Sequence, residues 1–73
     1  MNNVIVICEL EDSKVVDVSL ELLTKGRSLA NQLKCKLEAV VLGHNIKGIE
    51  SQIAPYGADI IHIGDSEFTF IEQ

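Results

Sequence analysis

The sequence holds few aromatic and few basic residues. Among its 73 residues there is no tryptophan, one tyrosine and two phenylalanines, which offers little for nucleic-acid bases to stack on. Six lysines and arginines stand against eleven aspartates and glutamates, and the formal net charge of −5 opposes the phosphate backbone. Composition therefore argues against a nucleic acid partner, and the core must be built from aliphatic side chains.

Long apolar runs are also missing. The first one, Val4 to Cys8, ends at Glu9, whereas a membrane-spanning helix needs about 20 apolar residues. The opening Met-Asn-Asn carries none of the positive charge typical of a secretory signal. We therefore expect no membrane insertion and a cytoplasmic location.

Cysteine is rare. Cys8 and Cys35 fit neither a CxxC motif nor zinc-ligand spacing, and each lies in or beside an apolar segment. A reduced thiol in such surroundings packs as a small hydrophobe, which is the expectation for both. A disulfide or a reactive thiol is the alternative.

Three apolar segments rich in β-branched residues are typical of strands buried in a parallel sheet. They are VIVIC (Val4 to Cys8), LEAVVL (Leu37 to Leu42) and DIIHI (Asp59 to Ile63), and two stretches with helical spacing separate them. This alternation predicts an α/β fold: a three-stranded parallel sheet of order 3-2-1 with two right-handed crossover helices. Residues 1–73 would form a single partial Rossmann-like domain.

The first helix is predicted from about Val18 to Lys34, with Asp17 as its N-cap. Its spacing of three and four residues predicts one core-facing stripe. The members of this stripe are Val18, Leu22, Gly26, Leu29 and Leu33, widened by Leu23 and Ala30. Because glycine costs about 1 kcal/mol relative to alanine within a helix, Gly26 indicates a close approach of helix to sheet.

The second helix is predicted to be shorter. Ile46, Ile49, Ile53 and Tyr56 share one helical face, and Asn45 is in position to cap it. Pro55 and Gly57 should end this helix, since proline removes a backbone donor and glycine adopts the left-handed conformation.

Candidate ligand residues follow the second and third strands. Open α/β sheets bind ligands at the carboxyl ends of their strands, where Gly43, His44, Asn45, Gly64 and Asp65 would lie. These five residues are the candidate nucleotide site. A single glycine before the second helix falls short of a GxGxxG or Walker motif, so the plainer interpretation is a strand-exit turn with an Asn cap.

The loop after the first strand, ELEDSK, crowds Glu9, Glu11 and Asp12 together, and three carboxylates repel a phosphate. A magnesium site is conceivable there, although a solvated acidic loop explains the same residues. A metal cluster of His44 and His62 with the cysteines has little support, and His62 is expected to be partly buried in its strand. We therefore expect no metal centre. No pairing of a nucleophile with a base is evident either, so we do not expect an enzyme.

Four segments in order resemble one known family. They are ICEL at the end of the first strand, SLELLTKGRSLANQL in the first helix, EAVVLGHN at the second strand and YGADIIHIGD at the third. Together they are similar to the N-terminal segment of the alpha subunit of electron-transferring flavoproteins, over roughly residues 3–66. Each motif alone is weak, but their order and spacing are fairly specific.

The resemblance implies an adenine-nucleotide-hydrolase-like domain within an electron carrier that pairs with a homologous beta subunit. In that family FAD is held mainly by the C-terminal domain of the alpha subunit, and AMP or a second flavin by the beta subunit. It implies no cofactor residue in this segment, which would act as scaffold and subunit contact. A small stand-alone nucleotide-binding module is the alternative function.

The predicted topology also bears on association. Both right-handed crossovers place their helices on one face of the sheet, which leaves the other face bare. The edge of the first strand would be unpaired as well. We therefore predict that the chain is not a stable monomer and either self-associates or needs the remainder of its domain.

Overall fold

A parallel sheet of three strands forms the centre of the molecule. The computed structural model describes residues 3–43 and 48–64. Strands β1 (Val4–Cys8), β4 (Leu37–Leu42) and β5 (Ile60–Gly64) are parallel and lie in the order β1-β4-β5. The predicted order 3-2-1 is thus confirmed, with the second of the three segments in the middle.

Between β1 and the first helix, where the sequence predicts an acidic loop, lies a β-hairpin. Strands β2 (Leu10–Glu11) and β3 (Lys14–Val15) pair antiparallel. The two residues that join them, Asp12 and Ser13, have φ angles of 51° and 64°. Positive φ at both central positions is the type I′ turn, which matches the twist of a hairpin. Neither position holds the glycine that usually marks such a turn, so the sequence does not predict the hairpin.

Helix α1 (Asp17–Leu33) begins and ends close to its predicted limits. Its N-cap is Val16, without a side-chain bond, so the prediction of Asp17 as N-cap is wrong. The reason is local: Val16 donates its N–H to Glu9 O at 3.1 Å, which fixes the chain after the hairpin in an extended conformation. The helix ends at left-handed Lys34 (φ 56°).

The face of α1 that contacts the sheet differs from the predicted stripe. Its buried residues are Ser19, Leu23, Gly26 and Ala30. The other predicted members of the stripe are exposed, with 64% for Val18, 45% for Leu22, 45% for Leu29 and 55% for Leu33. Leu23, Gly26 and Ala30 of the predicted stripe are buried, so the helix is rotated from its predicted orientation by roughly 50°, about half of one residue step, towards its small side chains.

Gly26 explains this rotation. A Cβ atom at Gly26 would lie 2.9 Å from Leu37 Cδ1 and 3.1 Å from Val6 Cγ2. The predicted close approach of helix to sheet is confirmed, because real Cβ atoms rarely come so near to their neighbours. Larger residues on this line of the helix would push α1 away from β1 and β4.

A short helical segment lies between β4 and β5 along the chain. Helix α2 (Glu50–Ile53) continues into a 3-10 helix (Ala54–Tyr56) and stops at Gly57, whose φ is 88°. Ile49 and Ile53 are buried, as their spacing predicts. The predicted cap Asn45 and the first apolar residue Ile46 lie outside the described residues.

The hydrophobic core lies between the sheet and the helices. Its buried residues are Val6, Cys8, Val15, Leu23, Ala30, Leu37, Ala39, Val41, Ile49 and Ile53. The opposite face of the sheet is open to solvent at Ile5 and Ile7, which are 59% and 66% exposed. Among the residues described, no helix is both long and apolar enough to cross a bilayer.

Candidate functional site

The candidate nucleotide site lies where β4 and β5 end side by side. Gly43 donates its N–H to Gly64 O at 3.1 Å, which ties the two strand ends together. A Cβ atom at Gly64 would come within 2.6 Å of Leu42 Cδ2, so a side chain at this position would have to displace the end of the partly exposed Leu42 side chain. The amide of Gly43 is therefore already engaged within the protein and is not directed at a ligand.

The remaining members of that predicted site are His44, Asn45 and Asp65. All three lie outside the described residues. The convergence of five residues on a ligand therefore stays a prediction, of which the structure shows the two glycines in place at the carboxyl edge of the sheet.

The hairpin occupies the position after β1 at which dinucleotide-binding folds hold a phosphate. Two backbone donors at its base are bound within the chain. The Glu9 N–H donates to Ser19 Oγ at 2.8 Å, and the Val15 N–H donates to Gln52 Oε1 at 2.9 Å. Gln52 Nε2 in turn donates to Ser13 O at 3.2 Å. These donors are not available to cradle an anion.

Charge around the hairpin is also unfavourable for a phosphate. A shallow depression of about 370 Å³ is lined mainly by acidic side chains and by the end of the hairpin. Its lining residues are Glu11, Asp12, Lys14, Val15, Val16 and Asp17. Three carboxylates against one lysine repel an anion. Within residues 3–43 and 48–64 no group of three His, Cys, Asp or Glu side chains is placed to hold a metal ion.

A hydrogen-bonded group of side chains, not predicted from the sequence, lies on the open face of the sheet. His62 Nε2 lies 2.7 Å from Glu38 Oε1, and Asn3 Nδ2 donates to Glu38 Oε2 at 3.0 Å. The bond to His62, followed by the one to Asn3, lowers the pKa of Glu38 below its ordinary value. His62 has a side chain that is 54% exposed, so the expectation of a partly buried residue is wrong.

The reason for the exposure of His62 is the register of the sheet. Glu38 is opposite Ile60 and Val40 is opposite His62, so all four side chains point away from the helices. Finding the pair from sequence would require this register, since 24 positions separate Glu38 and His62 along the chain.

The Gly-Ala-Asp motif before β5 serves a structural role. Arg27 Nη1 donates to Gly57 O at 2.6 Å and pairs with Asp59 Oδ2 at 3.0 Å. The same carboxylate oxygen accepts the Leu37 N–H at 2.8 Å. The bond from Leu37, followed by the one from Arg27, lowers the pKa of Asp59. The motif thus fastens α1 to the beginning of β4 and β5.

Both cysteines are free thiols, as expected. Cys8 is buried and Cys35 is half-buried, and burial raises the pKa of the Cys8 thiol. A thiol held in its protonated form is a poor nucleophile, which fits a packing role for Cys8.

The fold is thus part of a Rossmann-like α/β domain, with a parallel sheet and helices on one face. The chain matches the model of the electron transfer flavoprotein domain over residues 4–70. It belongs to that family of electron carriers. The resemblance seen in the sequence is confirmed.

Relatives of known name agree with this assignment. The chain is 41% identical over 62 residues to the electron transfer flavoprotein subunit alpha of Clostridium acetobutylicum, covering 85% of this chain and 18% of the relative. It is 43% identical over 68 residues to the protein FixB of Rhizobium meliloti, with 88% and 19% covered. A third relative is the acryloyl-CoA reductase electron transfer subunit beta of Anaerotignum propionicum, 35% identical over 60 residues, with 82% and 16% covered. The chain spans less than a fifth of the length of these relatives.

Proposed function

We propose that this chain acts as the N-terminal segment of an electron transfer flavoprotein alpha subunit, where it serves as scaffold and subunit contact and not as the flavin site. The observation that supports a scaffold role, and argues against a flavin site in this segment, is the hairpin after β1. The N–H groups of Glu9 and Val15 are bound to Ser19 and Gln52, and three carboxylates line the depression beside the hairpin. A pyrophosphate needs free backbone N–H groups and little negative charge.

In this proposal FAD is bound by the part of the protein that the longer relatives have and this chain does not span. The partner is a flavoprotein beta subunit, or a second copy if the chain acts alone. The reaction is transfer of electrons between partner proteins, without a catalytic constellation in this segment, and the proposed location is the cytoplasm.

Flavin titration tests the proposal. We expect the fluorescence and absorbance of FAD to be unchanged when the 73-residue chain is added up to about 100 μM, well above the micromolar affinities of weak cofactor sites. Riboflavin serves as the control for nonspecific contact with the isoalloxazine ring. Saturable micromolar binding of FAD to the chain alone would overturn the assignment as scaffold.

The alternative function, a stand-alone nucleotide-binding module, draws on the adjoining ends of β4 and β5 at the edge where such folds bind ligands. Its site would consist of Gly43, His44, Asn45, Gly64 and Asp65. Titration with AMP and with ATP, followed by the amide shifts of Gly43 and Gly64, separates the two functions. Saturable shifts at both glycines would favour the module, and flat curves would exclude it.

A further inference from the structure

A groove lies between the first half of α1 and the 3-10 helix. Its volume is about 270 Å³, and its lining residues are Asp17, Leu20, Glu21, Thr24 and Tyr56. Sites for small molecules usually have volumes of about 300–1,000 Å³. The groove is therefore of a size for a side chain of a partner protein and not for a whole cofactor. It is called the α1 groove below.

The floor of the α1 groove is apolar and held in place. Leu20 and Tyr56 are half-buried and pack against the hydrophobic core. Gly57, the residue after Tyr56, accepts a hydrogen bond from Arg27 Nη1 at 2.6 Å, which fastens the 3-10 helix to α1. Because the aromatic ring is already fixed in the free chain, a ligand that stacks on it loses little free energy in ordering the groove.

The rim of the α1 groove carries negative charge and hydrogen-bond acceptors. Asp17 and Glu21 are exposed and lie one helical turn apart, and none of the lining residues is basic. Like charges at this spacing repel each other, so a cation placed between the two carboxylates removes an unfavourable interaction. Thr24 Oγ1 donates to Leu20 O at 3.2 Å, which leaves the lone pairs of the hydroxyl free to accept a bond.

Glu21 is the main source of negative potential in the groove. Asp17 is the first residue of α1, where the positive end of the helix dipole offsets part of its charge. Glu21 lies beyond the first turn, where this effect has faded. The ion pairs among the residues described do not include Glu21. Lys25, one turn further along α1, lies on the side of Glu21 that is turned away from Tyr56.

An arginine side chain fits these features better than other ligands. Its planar guanidinium stacks on aromatic rings and donates several N–H bonds to carboxylates at the same time. In the α1 groove it would stack on Tyr56 and bond to Glu21, while its aliphatic stem would cover Leu20. The compact ammonium group of lysine uses the ring less well, and an anion is repelled by the two carboxylates.

We propose that the α1 groove binds an arginine side chain of the flavoprotein beta subunit, with Glu21 and Tyr56 as its principal contacts. This inference rests on the proposed function, because that function supplies the beta subunit as the partner. Charge complementarity supports it: the formal net charge of −5 on this chain favours a partner surface that carries positive charge.

Titration with a model compound tests the chemistry of the groove. N-acetyl-arginine amide is added to the 73-residue chain, and the NMR signals of the Tyr56 ring and the Glu21 amide are followed. We expect saturable shifts with a dissociation constant of about 1–10 mM, as for a single side chain. N-acetyl-citrulline amide has nearly the same shape without the charge and should bind at least about tenfold more weakly. Equal shifts with both compounds would overturn the inference.

Matched variants test the groove against the protein partner, for which the beta subunit of Clostridium acetobutylicum is the probe. Glu21→Gln should weaken the complex by at least about tenfold, because the guanidinium loses its charged acceptor. Glu11→Gln removes the same charge from the hairpin depression and should change affinity by less than about twofold. Glu21 and Glu11 are both exposed, so neither change puts the fold at risk. Tyr56→Phe keeps the ring and should also leave affinity within about twofold.

Two further outcomes would overturn the inference. They are a beta subunit that does not bind the chain, and a complex that Glu21→Gln and Glu11→Gln weaken to the same extent. Restored binding of a Glu21→Arg chain, when one arginine of the beta subunit is changed to glutamate, would identify the contact. The flavin titration is independent of these measurements. A chain that binds no FAD, in a complex that is indifferent to Glu21, would remove the groove proposal and leave the scaffold role standing.

Discussion

The close contact of α1 with the sheet at Gly26 makes a quantitative prediction. Gly26→Ala should gain about 1 kcal/mol from helix propensity and lose about 1–3 kcal/mol from overpacking against Leu37 and Val6. Leu37 is fully buried, so its Cδ1 atom, 2.9 Å from the new Cβ, has little freedom to move away. The expected net change in the free energy of unfolding is a loss of about 0–2 kcal/mol.

Urea unfolding followed by circular dichroism measures this change. Ser28→Ala, on the solvent side of the same helix, is the control. It should stabilise the chain by about a few tenths of a kcal/mol, which is the difference in helix propensity between serine and alanine. Leu37→Val removes the Cδ1 atom and should cost about 1 kcal/mol alone. In the Gly26→Ala background it should cost less, which gives a favourable coupling energy. A gain of the full 1 kcal/mol for Gly26→Ala, with no coupling to Leu37→Val, would refute the close packing of α1 on the sheet.

Three further predictions concern the hairpin and the open face. Ser13→Gly should stabilise the chain by about 1 kcal/mol, because Ser13 has a φ of 64° that glycine adopts without strain; an unchanged urea midpoint would contradict the turn geometry. Gln52→Ala should destabilise by about 1–3 kcal/mol, since it leaves the Val15 N–H without its acceptor; amide exchange at Val15 that stays slow would contradict this. Glu38 has a lowered pKa, so its stabilising effect is present above its ordinary pKa of 4.5 and is lost as the pH falls through the folded-state value. In Glu38→Gln the free energy of unfolding should fall less steeply as the pH is lowered, and His62→Ala should show part of the same effect. An unchanged acid dependence in both variants would contradict the pairing of Glu38 with His62.

The parallel sheet could be predicted because its strands are nearly continuous β-branched runs, and two helical spacers fix the topology. The hairpin could not be predicted from the sequence. Asp12 and Ser13 adopt positive φ without the glycine that usually marks such a turn. Its place between β1 and α1 is secured by Gln52, a residue far along the chain whose role no local pattern reveals.

The orientation of α1 was predicted only in part, for a physical reason: Leu23, Gly26 and Ala30 are buried as predicted, whereas Val18, Leu22, Leu29 and Leu33 are exposed. Apolar residues cover two adjacent lines of this helix, and periodicity alone does not decide which of them faces the sheet. The decisive residues are the small ones, Ser19, Gly26 and Ala30, because they allow close approach. The large residues on the neighbouring line are therefore left exposed.

The candidate site, too, could be predicted from the sequence only in part. The carboxyl edge of the sheet follows from topology, and Gly43 and Gly64 lie there as predicted. The pairing of Glu38 with His62 depends on the register between β4 and β5, which becomes known only when the strands are aligned.

A hybrid subunit offers the most direct test of the central claim that this chain is a scaffold segment of an electron transfer flavoprotein. In the Clostridium acetobutylicum alpha subunit, the matched stretch of 62 residues would be replaced by the corresponding part of this chain. The flavin content of the purified hybrid, measured with its beta subunit, is predicted to equal that of the parent. A folded hybrid without flavin, or a parent-like flavin content in the 73-residue chain alone, would contradict the account.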